Sequence, residues 1–572
     1  MKRTDFVARF AGEGGQGMVT SAEGLAQAAA QGGYHVLTYS TFPSQIMGGP
    51  TFAQVRISTS PILSNGDALD VLVCFNKEAY IQHEGEVQDS GVIIYNSGAF
   101  QIEDDPRSVG LPFSELAKET GNTRAENMVV IGAFAHLVNM PQQYLEDFVT
   151  LRFTRGRPGD EEIIRSNIQA LGLGRERVAS SGMSLGELAD SNRPEGEQIL
   201  IKGNEAIALG AIAGGLEVFV GYPISPATTI LVFMERNLVG DGKFVYQASS
   251  EIESITAIMG AGFAGKKAMT STAGPGFSLM HEGLGMAWMA EIPGVVIDVQ
   301  RGGPATGLPT KTEQSDLAIA MRPAHGDVSI PVIAPGTVEE CFYAAVHSLN
   351  WAERYQGPVM LLSEMMLAER AQNIPKPDVQ SLAVEKREIY QGANGYLRYE
   401  APTVSPMPIP GGPGSYIANA SEHDPMGDTT HLPDRHIEMT HRRFAKLELL
   451  KDGEFERENV EQAVAIMPWG GSKGPAREAY NALIAEGVEI GWYYTMFLNP
   501  LPEKMLAELR EKELILVPEL NYQGQLSSIL RSLGVRAESI TQYTGLPFQV
   551  TDLGARIKDR VASGQAKKKV RS

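Results

Sequence analysis

Cysteine is almost missing from this chain: Cys74 and Cys341 are the only two in 572 residues. That excludes a disulfide framework and fits a reducing compartment. It also excludes an all-cysteine iron–sulfur cluster within this polypeptide, because each cluster takes about four thiolates. No uninterrupted apolar run approaches the roughly 20 residues of a membrane span. The opening stretch MKRTDFVARFAGEGG has no apolar core of signal-peptide length. The expectation is a soluble, cytoplasmic protein with no membrane partner. Positive charge is short as well: 49 Lys and Arg against 68 Asp and Glu give a formal net charge of −19. Such a surface repels nucleic acid. The one basic run, Lys567, Lys568, Lys569 and Arg571, lies at the C-terminal end and reads as a solvated terminus.

What is present is the composition of a globular protein, 43% hydrophobic and 20% charged, long enough for three or four domains. Residues 1–183 read as one α/β unit, with a strand at Phe6–Ala11, a glycine turn, a helix from Met18 to Gln31, and doubly buried strands at Leu69–Phe75 and Gly91–Tyr95. Helices are predicted at Asn127–Leu137 and Asp160–Leu171. A polar linker around Pro194 leads to a second unit, 198–372, which alternates helix and strand in the rhythm of a parallel sheet covered on both faces. Residues 373–458 are rich in proline and glycine and read as an extended connecting segment. A smaller α/β unit occupies 459–562.

The glycines Gly12, Gly14, Gly15 and Gly17 of GEGGQG stand between a strand and a helix. They form either a tight structural turn or a cradle of backbone amides for a phosphate. They are not the dinucleotide fingerprint, since no acid follows near Tyr34–Leu37 to hold a ribose. Gly240-Asp241-Gly242 resembles the start of a thiamine-diphosphate metal motif, but no Asn occurs between Asn237 and Asn350 to complete it, so it reads as a plain turn. His423, His431, His436 and His441 gather in the proline-rich segment without any standard ligand spacing, and no metal site is expected. Three strings of the second unit follow strands, where ligands sit in parallel sheets. They are Tyr222-Pro223-Ile224-Ser225-Pro226, Thr270–Phe277 (TSTAGPGF) and Arg301–Gln314 (RGGPATGLPTKTEQ). An arginine at a strand end backed by glycines suits bidentate binding of a carboxylate.

Together with Gly203-Asn204-Glu205-Ala206, these strings resemble the pyrimidine-binding alpha part of 2-oxoacid:ferredoxin oxidoreductases. The GEGGQG unit is similar to that family's gamma part, fused ahead of alpha, and Pro518–Gln525 (PELNYQGQ) lies in a stretch similar to its transketolase-C-terminal-like domain. The implied fold is α/β throughout, with a Rossmann-like gamma domain, a thiamine-diphosphate pyrimidine-binding domain and the transketolase-C-terminal-like domain. The resemblance assigns Glu251 to the cofactor's aminopyrimidine, where a carboxylate on the ring nitrogen favours the imino tautomer that deprotonates thiazolium C2. It assigns Arg301 to the substrate carboxylate. Ser225 stands where the family usually has threonine, and Lys311 is a candidate for a distal carboxylate. The implied reaction is coenzyme A-dependent oxidative decarboxylation of a 2-oxoacid with electrons to ferredoxin, or its reverse. The gamma–alpha fusion points to 2-oxoglutarate; pyruvate and branched 2-oxoacids are the alternatives. A nicotinamide dehydrogenase and a non-catalytic scaffold are the rival classes. Magnesium, the diphosphate site and a 4Fe–4S cluster are expected on a separate beta subunit, in a dimer of alpha–beta heterodimers.

Overall fold

The computed structural model describes residues 2–42 and 49–571, with side chains through Ser563. The chain divides into two compact units, Met1–Ile201 with Glu369–Lys376, and Lys202–Ala368 with Pro377–Ser572.

The first unit is built on an eight-stranded sheet. Its order is Ser108–Leu111, Val87–Asn96, Leu69–Cys74, Asp5–Glu13, Pro50–Ser58, His35–Thr41, Ala371–Pro375 and Gln198–Lys202. The first four strands run parallel, and all six residues of Leu69–Cys74 are buried, as a strand covered on both faces requires. Pro50–Ser58 then pairs antiparallel with both Asp5–Glu13 and His35–Thr41. The strand that follows the first helix is therefore one place removed from the strand that precedes it, unlike the adjacent pair of a dinucleotide-binding βαβ unit. The Rossmann-like layering is present, in a mixed sheet. Helices Glu126–Leu137 and Asp160–Ala179 touch backbone to backbone. A Cβ on Gly132 would fall 2.0 Å from Leu171 O, and one on Gly174 would fall 1.9 Å from Val129 O.

The second unit holds two sheets. The larger runs Phe244–Gln247, Val218–Gly221, Ala268–Thr272, Gly294–Gln300, Pro358–Glu364, Val332–Ile333 and Phe497–Asn499. Every neighbouring pair is parallel except the last. The smaller runs Glu456–Glu458, Gly491–Tyr494, Val464–Ile466, Leu514–Glu519 and Ala537–Thr541. Strand Phe244–Gln247, helix Glu251–Phe263 and strand Gly294–Gln300 follow the helix–strand alternation expected of this stretch. Two helices, Gly274–Leu279 and His281–Ala290, lie between strands Ala268–Thr272 and Gly294–Gln300.

The proline-rich stretch holds more regular structure than its composition implies. Ala371–Pro375 joins the first unit's sheet, and Pro433–Ala445 is a helix with Pro433 in its first turn, where a missing N–H costs nothing. That helix is held by a buried charge cluster: Glu291 accepts from Arg442 Nε at 2.9 Å and from Lys446 Nζ at 2.9 Å. Both cysteines are buried and neither forms a disulfide, and burial pushes the Cys74 thiol up. Among the described residues no helix is long and apolar enough to cross a membrane, and no group of three or more His, Cys, Asp or Glu could hold a metal ion.

Candidate active site

Strands Val218–Gly221, Ala268–Thr272 and Gly294–Gln300 are neighbours in one parallel sheet. Their C-terminal ends therefore lie side by side, and those ends release the YPISP turn, the Ala273-Gly274-Pro275-Gly276 turn and Arg301. Parallel packing thus brings together three strings that lie up to about 80 residues apart in the chain. Asn204, buried beneath the first turn, donates from Nδ2 to Pro226 O at 2.9 Å and to Thr229 Oγ1 at 2.8 Å. This gives the GNEA string its role.

Arg301 is 8% exposed, and its Nη1 donates to Ser225 O at 2.7 Å. Its Nε is buried without an acceptor, and it makes no ion pair within salt-bridge distance among the described residues. Burial lowers its pKa, while Asp298 and Asp316 work the other way. A buried guanidinium with unspent donors and no counter-ion in contact is a site for an incoming anion. Ser225 contributes its carbonyl; the residue itself is exposed.

Glu251 is the first residue of its helix, behind Ser250, whose hydroxyl caps Glu253 N at 3.2 Å. The helix start favours a carboxylate there. The side chain is buried at 5% exposure and takes no hydrogen bond from the described residues. Gly276 leaves it room: a Cβ there would fall 2.3 Å from Glu251 Oε1 and 2.2 Å from Thr272 Oγ1. A buried carboxylate facing a glycine turn can receive a flat ring with a donor nitrogen.

Lys311 is half-buried, which lowers its pKa, and it has no carboxylate partner among the described residues. A Cβ on Gly545 would fall 2.8 Å from Lys311 Cβ. The loop after Arg301 is braced from the smaller sheet. Gln314 N donates to Leu520 O at 2.8 Å, Gln314 Nε2 to Trp469 O at 2.8 Å, and Asn521 Nδ2 to Gln314 O at 3.0 Å. Gln525 Nε2 donates to Ser315 O at 2.6 Å and Gln525 Oε1 accepts from Ala318 N at 2.9 Å.

Sequence reasoning passed over Asp298 and Asp316. Asp298 is fully buried beside Arg301, and burial, then Asp316, hold its carboxyl well above the usual range. Burial raises Asp316 to about 6, against the hydrogen bond of Asp298 and the charge of Arg301. The one signal was an acid inside the apolar run Gly294-Val295-Val296-Ile297-Asp298-Val299.

In the first unit, Gly15 and Gly17 have φ of 100° and 89°, which only glycine adopts freely. Gln16 Oε1 accepts from Glu13 N at 2.8 Å and sits where a Cβ on Gly12 would fall, 2.5 Å away. The adjoining cleft, about 110 Å³, is lined by Gly12 together with Glu13, Asn76, Glu78 and His83.

The 2-oxoglutarate oxidoreductase subunit KorA of Mycobacterium tuberculosis is 32% identical to this chain, over 97% of it and 91% of the relative. The chain belongs to the 2-oxoacid:ferredoxin oxidoreductase family. Family models described as pyruvate flavodoxin/ferredoxin oxidoreductase, thiamine diP-binding, and as pyruvate ferredoxin/flavodoxin oxidoreductase match residues 209–442 and 7–177. The alpha subunit of the 2-oxoacid:ferredoxin oxidoreductase of Saccharolobus solfataricus is 29% identical, covering 97% of each chain. A solved 2-oxoglutarate:ferredoxin oxidoreductase from Magnetococcus marinus, with 2-oxoglutarate, coenzyme A and succinyl-CoA bound, superposes with a TM-score of 0.92 at 37% identity. The match covers 98% of this chain and 100% of that one. This member is accordingly a subunit of a thiamine-diphosphate-dependent oxidoreductase.

Proposed function

We propose that this chain is the alpha subunit, with fused gamma domain, of an enzyme that converts 2-oxoglutarate and coenzyme A to succinyl-CoA and carbon dioxide, passing electrons to ferredoxin, or that runs this reaction in reverse. The observation that carries the reading is Arg301, buried at the end of one strand and in contact with no counter-ion among the described residues, while the buried carboxylate of Glu251 reaches the Gly276 turn that follows the adjoining strand. The names of the relatives in Mycobacterium and Magnetococcus favour 2-oxoglutarate over pyruvate.

The residues fit the pyrimidine half of thiamine diphosphate: Glu251 is a buried carboxylate, and Gly276 keeps the space before it open. When bound, the cofactor supplies the C2 nucleophile and accepts the electron pair released on decarboxylation. Glu251 holds the proton at the aminopyrimidine ring nitrogen. Arg301 binds the 1-carboxylate and orients the carbonyl, with Ser225 O fixing one arm of the guanidinium. Lys311 is assigned to the distal carboxylate. Gly12, Gly14, Gly15 and Gly17 are assigned to a phosphate-bearing cosubstrate; the acids beside them oppose that role and the left-handed backbone favours it.

The rest of the machinery is assigned to a beta subunit carrying the diphosphate site, magnesium and a 4Fe–4S cluster, in a dimer of alpha–beta heterodimers. Two buried cysteines and the incomplete Asp–Asn motif support that division. So does apolar exposure around the site: Tyr222 in the YPISP turn, Ile252 next to Glu251 and Leu279 after the Gly276 turn are 38%, 55% and 51% exposed. Assay of the co-purified complex against a panel of 2-oxoacids, with a viologen as acceptor, tests the reading. Preference for 2-oxoglutarate is expected, and preference for pyruvate overturns the substrate.

A further inference from the structure

All seven residues of strand Gly294–Gln300 are buried, and Asp298 sits within it with neither carboxyl oxygen reached by a donor among the described residues. The acid that interacts with it is Asp316, across the Arg301 loop, whose Oδ2 is buried too. Two ionised carboxylates here would repel each other, and among the described residues no donor reaches Asp298 or Asp316 Oδ2 to relieve them. One proton between them removes the repulsion and makes one the donor and the other the acceptor.

The groups around the pair come from four directions. Arg301, at the end of the same strand, supplies the positive charge that acts on both acids. Glu313, on the loop, is a third acid acted on by Asp316. Thr272, on the neighbouring strand, stands opposite Asp298 in register, and Gln300 Oε1 accepts from Asp316 N at 3.1 Å. Gly274, at the start of the next helix, approaches so closely that a Cβ would lie 2.8 Å from Asp316 Oδ2.

We propose that Asp298 and Asp316 share a proton and form a positioning pair for substrate, taking up a second proton as a 2-oxoacid carboxylate docks on Arg301. The proposal rests on the assignment of Arg301 to that carboxylate. In the free site the pair carries one negative charge against the one positive charge of Arg301. An arriving carboxylate leaves the site one charge too negative, and protonation of Asp316 restores the balance. Asp316 is raised by burial only to about 6, so it is ionised at neutral pH while Asp298 keeps its proton. A bound anion raises Asp316 further. The protonated pair therefore binds substrate better, and affinity falls as pH rises through about 6. A one-unit rise on binding predicts uptake of about half a proton near pH 6.5 and roughly sevenfold weaker binding at pH 8 than at pH 5.5.

The test is isothermal titration of the assembled enzyme, freed of thiamine diphosphate so that the 2-oxoglutarate probe binds without reacting. Runs in buffers of different ionisation enthalpy count the protons. Proton uptake by wild type, lost in Asp316→Asn together with the pH dependence of affinity, supports the pair. Asp298 is a core residue whose variants can misfold, so the wild-type proton count decides. No uptake by wild type, where Arg301→Met abolishes binding, overturns the pair and leaves the carboxylate assignment standing. Undiminished binding by Arg301→Met overturns that assignment itself. Uptake that persists unchanged in Asp316→Asn also overturns the pair.

Discussion

Gln314 and Leu520 are joined by two hydrogen bonds, Gln314 N to Leu520 O at 2.8 Å and Leu520 N to Gln314 Oε1 at 3.0 Å. One residue belongs to the loop that starts at Arg301, the other to the PELNYQGQ string, and both participants are buried. The smaller sheet thus fixes the path of the loop that presents Arg301. Gln314→Ala removes the bonds to Leu520 N and Trp469 O; Leu520 N is left buried and unpaired, at roughly 1–3 kcal/mol, while Trp469 O keeps the hydroxyl of Ser472 at 2.7 Å. Steady-state kinetics of the complex should show a raised Michaelis constant for the 2-oxoacid with assembly intact. An unchanged constant would mean that the loop holds its shape without the brace.

Glu251→Gln keeps the shape of the side chain but gives up the charge that stabilises a protonated ring nitrogen. Turnover should fall about 10²–10⁴-fold, the range of general acid–base contributions, while gel filtration shows the complex intact. Retention of more than a tenth of wild-type activity would remove Glu251 from the chemistry.

Much of this site was legible because parallel α/β folds place ligands at strand ends, and the strings at Tyr222, Thr270 and Arg301 each follow a strand. Helix Glu251–Phe263 was legible from its capping serine and apolar periodicity. The brace by Gln314 and Asn521 was not, because it joins residues 207 apart through hydrogen bonds that leave no periodic trace. Nor was the pairing of Asp298 with Asp316, since each acid alone is unremarked in sequence. Helix Pro433–Ala445 was hidden by the prolines before it, and its stability comes from Glu291, more than 140 residues earlier.

Glu291 faces three cations. Burial works against its charge, but Lys446, Arg442 and Arg398 outweigh burial and hold its pKa down to about 2. Burial brings Lys446 down to about 8 despite Glu291. The two shifts differ because one carboxylate gains from every cation while each cation shares a single carboxylate. Glu291→Gln should destabilise the protein by about 3–5 kcal/mol at neutral pH, the cost of leaving buried cations unpaired. The contribution of Glu291 is present above its unfolded pKa of about 4.3 and is lost as pH falls toward 2. Urea unfolding should therefore show wild type and variant far apart at pH 7 and converging below pH 4. A gap independent of pH would assign the loss to packing.

On the proposed reading, Lys311 is this chain's candidate for the distal carboxylate of 2-oxoglutarate, with the partner subunit as the alternative. 2-Oxoglutarate differs from pyruvate by a distal carboxylate, which needs a second cation at a distance from Arg301. Lys311 follows Arg301 on the braced loop, lacks a carboxylate partner among the described residues and is half-buried, so its ammonium is incompletely solvated before substrate arrives. Loop geometry fixes its backbone: Lys311 N donates to Leu308 O at 3.1 Å and Gly302 N to Lys311 O at 3.1 Å. Removing one member of a buried charge pair costs roughly 2–5 kcal/mol. Lys311→Ala should therefore raise the Michaelis constant for 2-oxoglutarate by more than about tenfold and leave side activity on pyruvate nearly unchanged, because pyruvate has no carboxylate to lose. Equal losses on both substrates would make Lys311 a structural part of the loop, consistent with its contact with Gly545, and would pass the distal contact to the partner subunit. A loss confined to 2-oxoglutarate has no structural explanation, since a distorted loop would displace Arg301 for both acids alike.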